Sequence, residues 1–330
     1  MKNVCFVVGH EDSHERPGDT PEAYWRTLLP AKALGEAVVL GKPGAAEKAL
    51  AADVLWIYEP TCYAAASLAE VAHQMDKPVV VDWSEDIYTR DEQDRSYADA
   101  RLDAAERTMA TADVIVCSSR ALCGAYENKG PVTAVETVLP SAGWEPGSPE
   151  NIIAWWSDGR QKRGFEDVAP AMIRVLEDTG ADLINIQFAH EKPLMRGASN
   201  EDERKRRVGR LYAYFDNDQV SVEENLREFR AVFAQAQVSL ECYAPGSYRE
   251  TVSDVPILRA AALGIPTVTT RTDVPPGCIS ADPGTWAETV LELMHDRSRR
   301  QEKSREALQW ARTRSTYEGY QALLAHLTGA

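Results

Sequence analysis

The chain has 330 residues, 44% of them hydrophobic, and a formal net charge of −15. This length and composition predict a globular protein of about two domains with sizeable hydrophobic cores. The acidic charge disfavours non-specific binding to DNA or to anionic membranes, which are themselves negative. No apolar run reaches the roughly 20 residues of a membrane-spanning helix, and the first one is too short for a signal peptide. The six cysteines lack zinc-ligand spacing, so we expect a reducing, cytoplasmic location.

The first half of the chain alternates short, valine-rich strand patterns with helical patterns. The strand Val4–Gly9 is followed by the helical pattern Pro21–Gly35, in which Pro30 predicts a kink or a break. The later strand patterns of this half are AVVLG, DVLWIYEP, PVVVDW, DVIVCS and VETVLP. Strands that alternate with helices indicate βαβ units and a parallel sheet covered on both faces. Residues 1–146 therefore form one predicted Rossmann-like domain.

A segment rich in Gly, Pro and Ser, Ser141–Asn151, predicts a linker, and the alternation starts again after it. The strand patterns here are NIIAWWS, ADLINIQFA, VSLECYA, IPTVTT and GCISA, and long helices are predicted over Gly284–Met294 and Arg299–Leu327. We expect an α/β protein with two Rossmann-like domains facing across a cleft. The second domain covers residues 147–310, and residues 311–330 form a C-terminal helix.

Several common catalytic motifs are absent from the sequence. No G-x-G-x-x-G follows the first strand, and there is no G-x-x-x-x-G-K-[ST] loop, H-E-x-x-H helix or G-x-S-x-G elbow. Each of these motifs supplies the backbone or side-chain geometry on which its reaction depends. Their absence therefore disfavours hydride transfer, NTP hydrolysis and acyl transfer.

Five segments resemble the GT-B glycosyltransferases, in particular the branch that includes retaining family-four-like enzymes and compact phage-encoded members. Tyr24–Ala31 is similar to a helix that begins with an aromatic-x-Arg-x-x-x-Pro pattern, and Val79–Asp86 is similar to an acidic strand end. Ala112–Ser119 resembles an A-D-x-v-x-x-S strand, and Asp158–Gly164 resembles a G-R…K-G loop. Val255–Val268 resembles the segment E-A-x-A-x-G-x-P-x-V, with its helix, Gly and Pro at the family spacing.

The resemblance implies a nucleotide-sugar donor in the second domain and an acceptor on the first, with the last helix packing back on the first domain. A UDP-sugar is the expected co-substrate, and neither a metal ion nor another cofactor is expected. Cleavage of the sugar–diphosphate bond leaves negative charge that fixed cations or helix N-termini stabilise. The first donor-binding candidates lie between a strand and a helix, where ligands bind in open α/β sheets. They are Arg160, Lys162, Arg163 and Gly164.

The segment Val255–Val268 departs from the family pattern at Arg259, which stands where the family usually carries a Glu that hydrogen-bonds the nucleotide ribose. An arginine cannot accept hydrogen bonds from ribose hydroxyls, but it binds phosphate or stacks on a base. Ser253 and Asp254 begin the same helix, where capping side chains and backbone N–H groups gather near a bound anion. Ser253, Asp254 and Arg259 therefore complete the predicted donor site, although the usual nucleotide contacts do not carry over whole.

The loop after the first strand supplies the candidate catalytic residues. In GT-B enzymes this region borders the acceptor, so His10, Asp12 and His14 are candidates for the general base of an inverting enzyme. A retaining enzyme would not need such a base. The other acceptor-side candidates lie at the first strand end and in the first-domain segments that resemble the family: Gly9, Tyr24, Arg26 and Asp86.

The carboxylates Asp82, Glu85 and Asp86 raise a rival hypothesis, the Asp-x-Asp-like metal site of GT-A transferases. Carboxylates at a strand end bind Mg²⁺ or Mn²⁺. However, the segment D-W-S-E-D lacks the tight D-x-D spacing, and the second Rossmann-like half favours GT-B.

The acceptor is left open between a hydroxymethylated DNA base and a protein, because compact phage members of the family modify both. The basic runs Arg297–Arg314 and Arg204–Arg210 would supply a groove for DNA despite the acidic total. No membrane insertion is expected, and a phage-encoded protein would act in the host cytoplasm. Two other classes stay open: a non-catalytic nucleotide-sugar-binding protein, which Arg259 favours, and a two-domain sugar-nucleotide epimerase.

Overall fold

The computed structural model describes residues 3–9, 24–40, 42–89, 95–139, 144–157, 162–187, 212–214, 230–231 and 233–329. The chain forms two compact units. Unit 1 comprises Met1–Val138, Thr251–Asp254 and Thr316–Ala330, and unit 2 comprises Leu139–Glu250 and Val255–Ser315. The backbone of Leu139 already pairs within unit 2, where its N–H donates to Arg314 O, so unit 1 ends before the predicted boundary at residue 146.

Unit 1 is built on a parallel sheet of six described strands. They are β1 (Val4–Val8), β2 (Gly35–Val39), β3 (Val54–Tyr58), β4 (Val79–Trp83), β5 (Val114–Cys117) and β6 (Val132–Ala134). Their order in the sheet is β2-β1-β3-β4-β5-β6, and all neighbouring strands are parallel. Side chains alternate between two buried faces along the four central strands, as in β1, where Phe6 and Val7 belong to different core clusters. This burial on both faces explains the continuous apolar strand patterns of the sequence.

The predicted helix Pro21–Gly35 changes its geometry before Pro30. Tyr24–Leu28 form a π-helical turn, and helix α1 (Leu29–Leu34) begins one residue before the proline. Proline is tolerated there because a helix has no partner for the N–H groups of its first turn. The other helices of unit 1 up to β6 are α2 (Ala45–Ala51), α3 (Tyr63–Gln74), α4 (Arg95–Ala110) and α5 (Arg120–Tyr126).

Unit 2 contains a second parallel sheet of six described strands. They are β7 (Ile152–Ser157), β8 (Asp182–Gln187), β9 (Tyr212–Tyr214), β10 (Val238–Glu241), β11 (Thr267–Thr269) and β12 (Cys278–Ser280). Their order in the sheet is β12-β11-β10-β7-β8-β9. If β7 is counted as the first strand and the sheet is read from β9, this is the order 3-2-1-4-5-6 of Rossmann folds. The helices in this part are α6 (Lys162–Thr179), α7 (Ser247–Thr251), α8 (Val255–Ala262), α9 (Trp286–His295) and α10 (Arg297–Thr313).

The predicted long helix Arg299–Leu327 is divided in the structure. Helix α10 ends at Thr313, and α11 (Glu318–Thr328) begins after a short turn, where the chain passes from unit 2 to unit 1. Periodicity alone did not show this break, because the polar residues of the turn are common in helices as well. No helix of the described residues is both long enough and apolar enough to span a membrane.

Helix α11 covers one face of the sheet in unit 1, as predicted for the C-terminal helix. The ring of Tyr320 stacks on Trp56 with 5.0 Å between centroids and lies 6.4 Å from Phe6. Tyr320 and Leu324 are buried in the same cluster as these two residues. The last helix is therefore part of the core of unit 1.

Candidate functional site

In unit 2 the strand order reverses between β7 and β10, and ligands of doubly wound sheets bind at the carboxyl ends of such strands. The predicted donor loop Asp158–Gly164 follows β7 in the sequence, and its last three residues form the beginning of α6, the helix after this strand. Gly164 packs directly against the end of β10. A Cβ atom on Gly164 would lie 2.6 Å from Cys242 O and 2.5 Å from the carbonyl carbon of Tyr243. Only glycine therefore lets α6 approach β10 this closely.

A polar network holds the backbone at the ends of β10 and β11. Glu241, the buried last residue of β10, accepts hydrogen bonds from Thr269 Oγ1 at 3.0 Å and from Tyr243 OH at 3.3 Å. The N–H of Tyr243 donates to Thr270 Oγ1 at 2.8 Å, and this hydroxyl donates to Tyr243 O at 2.9 Å. The edge of unit 2 beside Gly164 is thus rigidly organised by side chains.

Helix α8 lies in the connection between β10 and β11. It carries the donor-binding candidate Arg259, and the candidates Ser253 and Asp254 directly precede it. All eight of its residues are buried, and Arg259, on its second turn, is 1% exposed. Ser253 is buried and Asp254 is partly exposed just before this helix. Arg271, two residues after the end of β11, is a second buried arginine of unit 2. Arginine keeps its charge even when buried, so both are fixed cations.

Arg26 and Asp82 form a fully buried ion pair in unit 1. Both Arg26 Nη2 and Arg26 Nε donate to Asp82 Oδ1, and the bond from Nε is 3.1 Å long. Arg26 Nη1 donates to Val135 O at 2.6 Å. Trp56 Nε1 donates to Asp82 Oδ2 at 2.8 Å. Burial lowers the pKa of Arg26, but Asp82, Tyr320 and Tyr58 together raise this pKa more, so the guanidinium stays charged. Arg26 is completely buried in this ion pair, and its predicted role on the acceptor side stays a prediction.

The strand order of unit 1 reverses between β1 and β3. Gly9, after β1, donates its N–H to Tyr58 O at 2.9 Å, and a Cβ atom there would lie 2.9 Å from Pro60 Cα, so only glycine fits. Glu59, after β3, has a φ of 45°, and its Oε1 accepts hydrogen bonds from Tyr58 OH at 2.9 Å and from Ser84 Oγ. The predicted acceptor-side residue Gly9 thus lies beside a carboxylate that the sequence analysis did not select.

The other predicted acceptor-side residues have structural contacts. Tyr24 is buried and packs edge-on against Trp25, with 4.9 Å between ring centroids. Asp86 Oδ1 accepts a hydrogen bond from Tyr88 N at 2.9 Å in the turn after β4. Asp82 is already engaged by Arg26, and the described residues contain no group of three or more His, Cys, Asp or Glu side chains that could hold a metal ion.

Several predicted site residues lie outside the described part of the structure, and their roles stay predictions. They are His10, Asp12, His14, Arg160, the side chains of Lys162 and Arg163, and the run Arg204–Arg210.

The sequence analysis missed the polar residues that follow or end buried strands. Glu59 follows the apolar run of β3, and Ser84 follows β4. Glu241 ends β10 and Thr269 ends β11. A rule that selects the first polar side chain after each buried parallel strand would have found Glu59 and Ser84, since the carboxyl ends of these strands share one edge of a sheet.

No family model and no curated protein sequence matches the chain. Solved structures match it over its whole length. HepE from Anabaena, in complex with UDP-glucose, superimposes with a TM-score of 0.67 and 12% identity, covering 100% of both chains. An alpha-glucosyltransferase in complex with UDP and a 13-mer DNA containing a HMU base superimposes with a TM-score of 0.65 and 14% identity, covering 99% of both.

These similarities and the two parallel sheets define the class of the protein. The chain has the α/β, two-domain GT-B glycosyltransferase fold, as the sequence resemblance predicted. The identity of 12–14% establishes the fold alone, so the reaction has to be argued from the residues of this chain.

Proposed function

We propose that the protein is a glycosyltransferase that moves a sugar from a UDP-sugar to a hydroxyl acceptor. The observation that carries this proposal is the full-length match, with a TM-score of 0.67, to HepE in complex with UDP-glucose. Absence of the motifs for hydride transfer, NTP hydrolysis and acyl transfer supports it, because those reactions lack their required geometry in this sequence.

The donor diphosphate is assigned to unit 2. Lys162 and Arg163 begin α6 and Arg160 precedes them in the sequence; this helix follows β7, a strand at the reversal of strand order where such ligands bind. Gly164 brings the start of α6 against β10, which aims backbone N–H groups of this long helix at the same edge. Arg259 on α8 supplies a further buried cation. Ser253 and Asp254 remain candidates at the start of that helix.

The chemistry requires little besides charge and position. The acceptor oxygen bonds to the anomeric carbon while the bond from that carbon to the diphosphate oxygen breaks, and UDP leaves with the electron pair. Fixed cations stabilise the charge that develops on the leaving oxygen. The acceptor proton passes to a general base or to the leaving phosphate. In an inverting enzyme, His10, Asp12 or His14 would be that base.

A hydroxymethylated DNA base is the acceptor that we propose to test first. The alpha-glucosyltransferase with this fold is bound to DNA containing a HMU base. Helix α10 supports this acceptor, because Arg297, Arg305 and Arg312 are exposed on it, whereas Arg299 pairs with Glu292. Exposed arginines suit DNA phosphates, and their contribution should decrease with salt. We propose that this transfer of a sugar to DNA takes place in the cytoplasm.

Thermal shift and UDP release together test the proposed function. We expect one class among UDP-, GDP-, ADP-, CMP- and dTDP-sugars, the UDP class, to raise the melting temperature. At about 100 times its dissociation constant, a ligand stabilises the folded state by roughly 2.7 kcal/mol. The variant Arg160→Ala/Lys162→Ala/Arg163→Ala should lose this shift. Arg174→Ala, which removes an exposed arginine from the same helix α6, is the matched control and should keep it.

The outcomes separate the proposed function from its alternatives. A transferase releases free UDP when the modified 13-mer is added. A thermal shift without any release of UDP would identify a nucleotide-sugar-binding protein. Formation of a changed sugar nucleotide without an acceptor would identify an epimerase. No shift with any nucleotide sugar, in a folded sample, would contradict the proposal.

A further inference from the structure

Two of the six cysteines, Cys117 and Cys123, lie in contact with each other in unit 1. Cys117 is the last residue of β5, and Cys123 lies on helix α5, which begins after two serine residues. Cys117 belongs to the hydrophobic cluster against which Cys123 packs. The Sγ–H of Cys117 donates a hydrogen bond to Cys123 Sγ. The two sulfur atoms are therefore neighbours across the turn between strand and helix, which is the first requirement of a disulfide.

The two thiols differ in their exposure. Cys117 is 0% exposed, whereas Cys123 is partly exposed. Gly124, the next residue, has open space where a side chain would lie. The other four cysteines are buried: Cys5, Cys62, Cys242 and Cys278. Because oxidation of a cysteine depends on its exposure, an oxidant that diffuses to the folded protein reaches Cys123 first.

The hydrogen bond between the thiols also favours Cys123 as the one that reacts. Burial raises the pKa of both thiols, and for Cys123 the hydrogen bond from Cys117 opposes this increase. The thiolate is the form of cysteine that attacks an oxidant. Cys123 is therefore the attacking thiol, and the buried Cys117 is the thiol that closes the bond.

The turn between β5 and α5 is held to the segment that follows β4. Ser118 N donates to Trp83 O at 3.0 Å, and Ser118 Oγ donates to Ser84 O at 3.2 Å. Tyr126 OH, at the end of α5, donates to Glu85 O at 2.9 Å. A covalent bond between the two sulfur atoms would close a ring around this turn. Such a ring restricts the unfolded chain and thereby stabilises the folded turn.

We propose that Cys117 and Cys123 form a reversible disulfide when the protein meets a peroxide. The Cys123 thiolate attacks one oxygen of hydrogen peroxide, the O–O bond breaks, and Cys123 becomes a sulfenic acid while hydroxide leaves and takes up the proton that Cys123 lost. Cys117 Sγ then bonds to Cys123 Sγ, the S–O bond breaks, and the Cys117 proton and the departing hydroxide form water. Two thiols and one hydrogen peroxide thus give one disulfide and two waters. This site does not depend on the proposed function.

Peptide mapping tests the disulfide directly, because trypsin cleaves after Arg120, between the two cysteines. The folded protein is treated with hydrogen peroxide, its free thiols are alkylated, and the digest is analysed by mass spectrometry. We expect the peptides Thr108–Arg120 and Ala121–Lys129 as one cross-linked species that is lighter than their sum by two hydrogen atoms. Dithiothreitol should separate them, since thiol–disulfide exchange reverses the bond.

Thermal unfolding tests the effect of the disulfide on the turn. Oxidation of the wild-type protein should raise its melting temperature by several degrees, and dithiothreitol should reverse the rise. Cys123→Ser removes the attacking thiol, so this variant should give neither the cross-link nor the rise. Cys278→Ala is the matched control, because it removes a buried cysteine of unit 2, and it should give both.

The wild-type protein alone is sufficient to overturn the inference. Recovery of both cysteines as alkylated thiols after peroxide treatment would overturn it. Conversion of Cys123 to a sulfinic acid would do so as well, because Cys117 would then have failed to reach the sulfenic acid before a second peroxide did. A cross-link without any rise in melting temperature would refute the stabilisation of the turn.

Discussion

The two units are both built on six-stranded parallel sheets, but they differ in the charged residues that they bury. In each, a glycine lies against the end of a neighbouring strand: Gly9 beside β3 in unit 1 and Gly164 beside β10 in unit 2. The unit 1 edge presents the carboxylate of Glu59, whereas unit 2 holds the buried cations Arg259 and Arg271. The comparison teaches that the same kind of sheet tolerates different buried charges, so the sheet alone does not decide the chemistry of its edge.

The largest expected effect concerns Arg26, a cation that Asp82 neutralises within the core of unit 1. Asp82→Asn should lower the free energy of unfolding by about 3–5 kcal/mol, because it leaves the Arg26 guanidinium buried without its counter-charge. Urea denaturation measures this loss. The double variant Arg26→Met/Asp82→Leu should recover most of the stability, since apolar residues of similar volume avoid the desolvation penalty. A loss below about 1 kcal/mol for Asp82→Asn would show that the pair contributes little.

The two glycines test whether close backbone approach matters equally in both units. Gly164→Ala and Gly9→Ala should each destabilise the protein by about 1–3 kcal/mol, because the new Cβ meets backbone atoms that cannot move aside. Gly124→Ala, inside α5, is the control. Nothing lies within 4 Å of its added Cβ, so this change should be neutral or stabilising by up to about 1 kcal/mol. Thermal unfolding of the three variants decides, and equal stability of all three would contradict the packing argument.

The charge difference predicts a change in nucleotide affinity that is confined to unit 2. Arg259→Met should weaken UDP binding about tenfold, equivalent to about 1.4 kcal/mol, because it removes a fixed cation while keeping apolar volume. Arg305→Met, at an exposed position on α10, is the control and should leave UDP affinity unchanged. Isothermal titration measures both. Unchanged affinity in a folded Arg259→Met protein would remove this residue from the donor site.

The smallest effects are expected from one exposed ion pair in each unit. Hydrogen bonds from Lys129 to Glu106 and from Lys303 to Glu306 lower the pKa of each glutamate. A lowered pKa means that the stabilisation is complete above the pKa of the unfolded chain and is lost as the pH falls through the pKa of the folded one. Because both pairs are partly exposed, Glu106→Gln and Glu306→Gln should each cost less than about 1 kcal/mol at neutral pH. The cost should vanish in acid and shrink in high salt, and a cost that persists at pH 3 would indicate packing instead of charge.

Much of the fold was readable from the sequence because parallel strands buried on both faces are continuous apolar runs. The patterns around Val4–Gly9 and VSLECYA therefore gave strands, and the position of Gly9 at a strand end followed from that alternation. Part of the candidate site was readable for the same reason. The break between α10 and α11 was not, since the polar turn residues carry no periodic signal of their own.

The sequence by itself determined the alternation of strands and helices in two Rossmann-like halves. Only the tertiary structure decided that Arg26 forms an ion pair with Asp82, that Tyr320 of the last helix packs on Trp56, and that Ser84 donates a hydrogen bond to Glu59. These partners are distant in sequence, and local periodicity records which face of an element is apolar but not which residue of another element it meets.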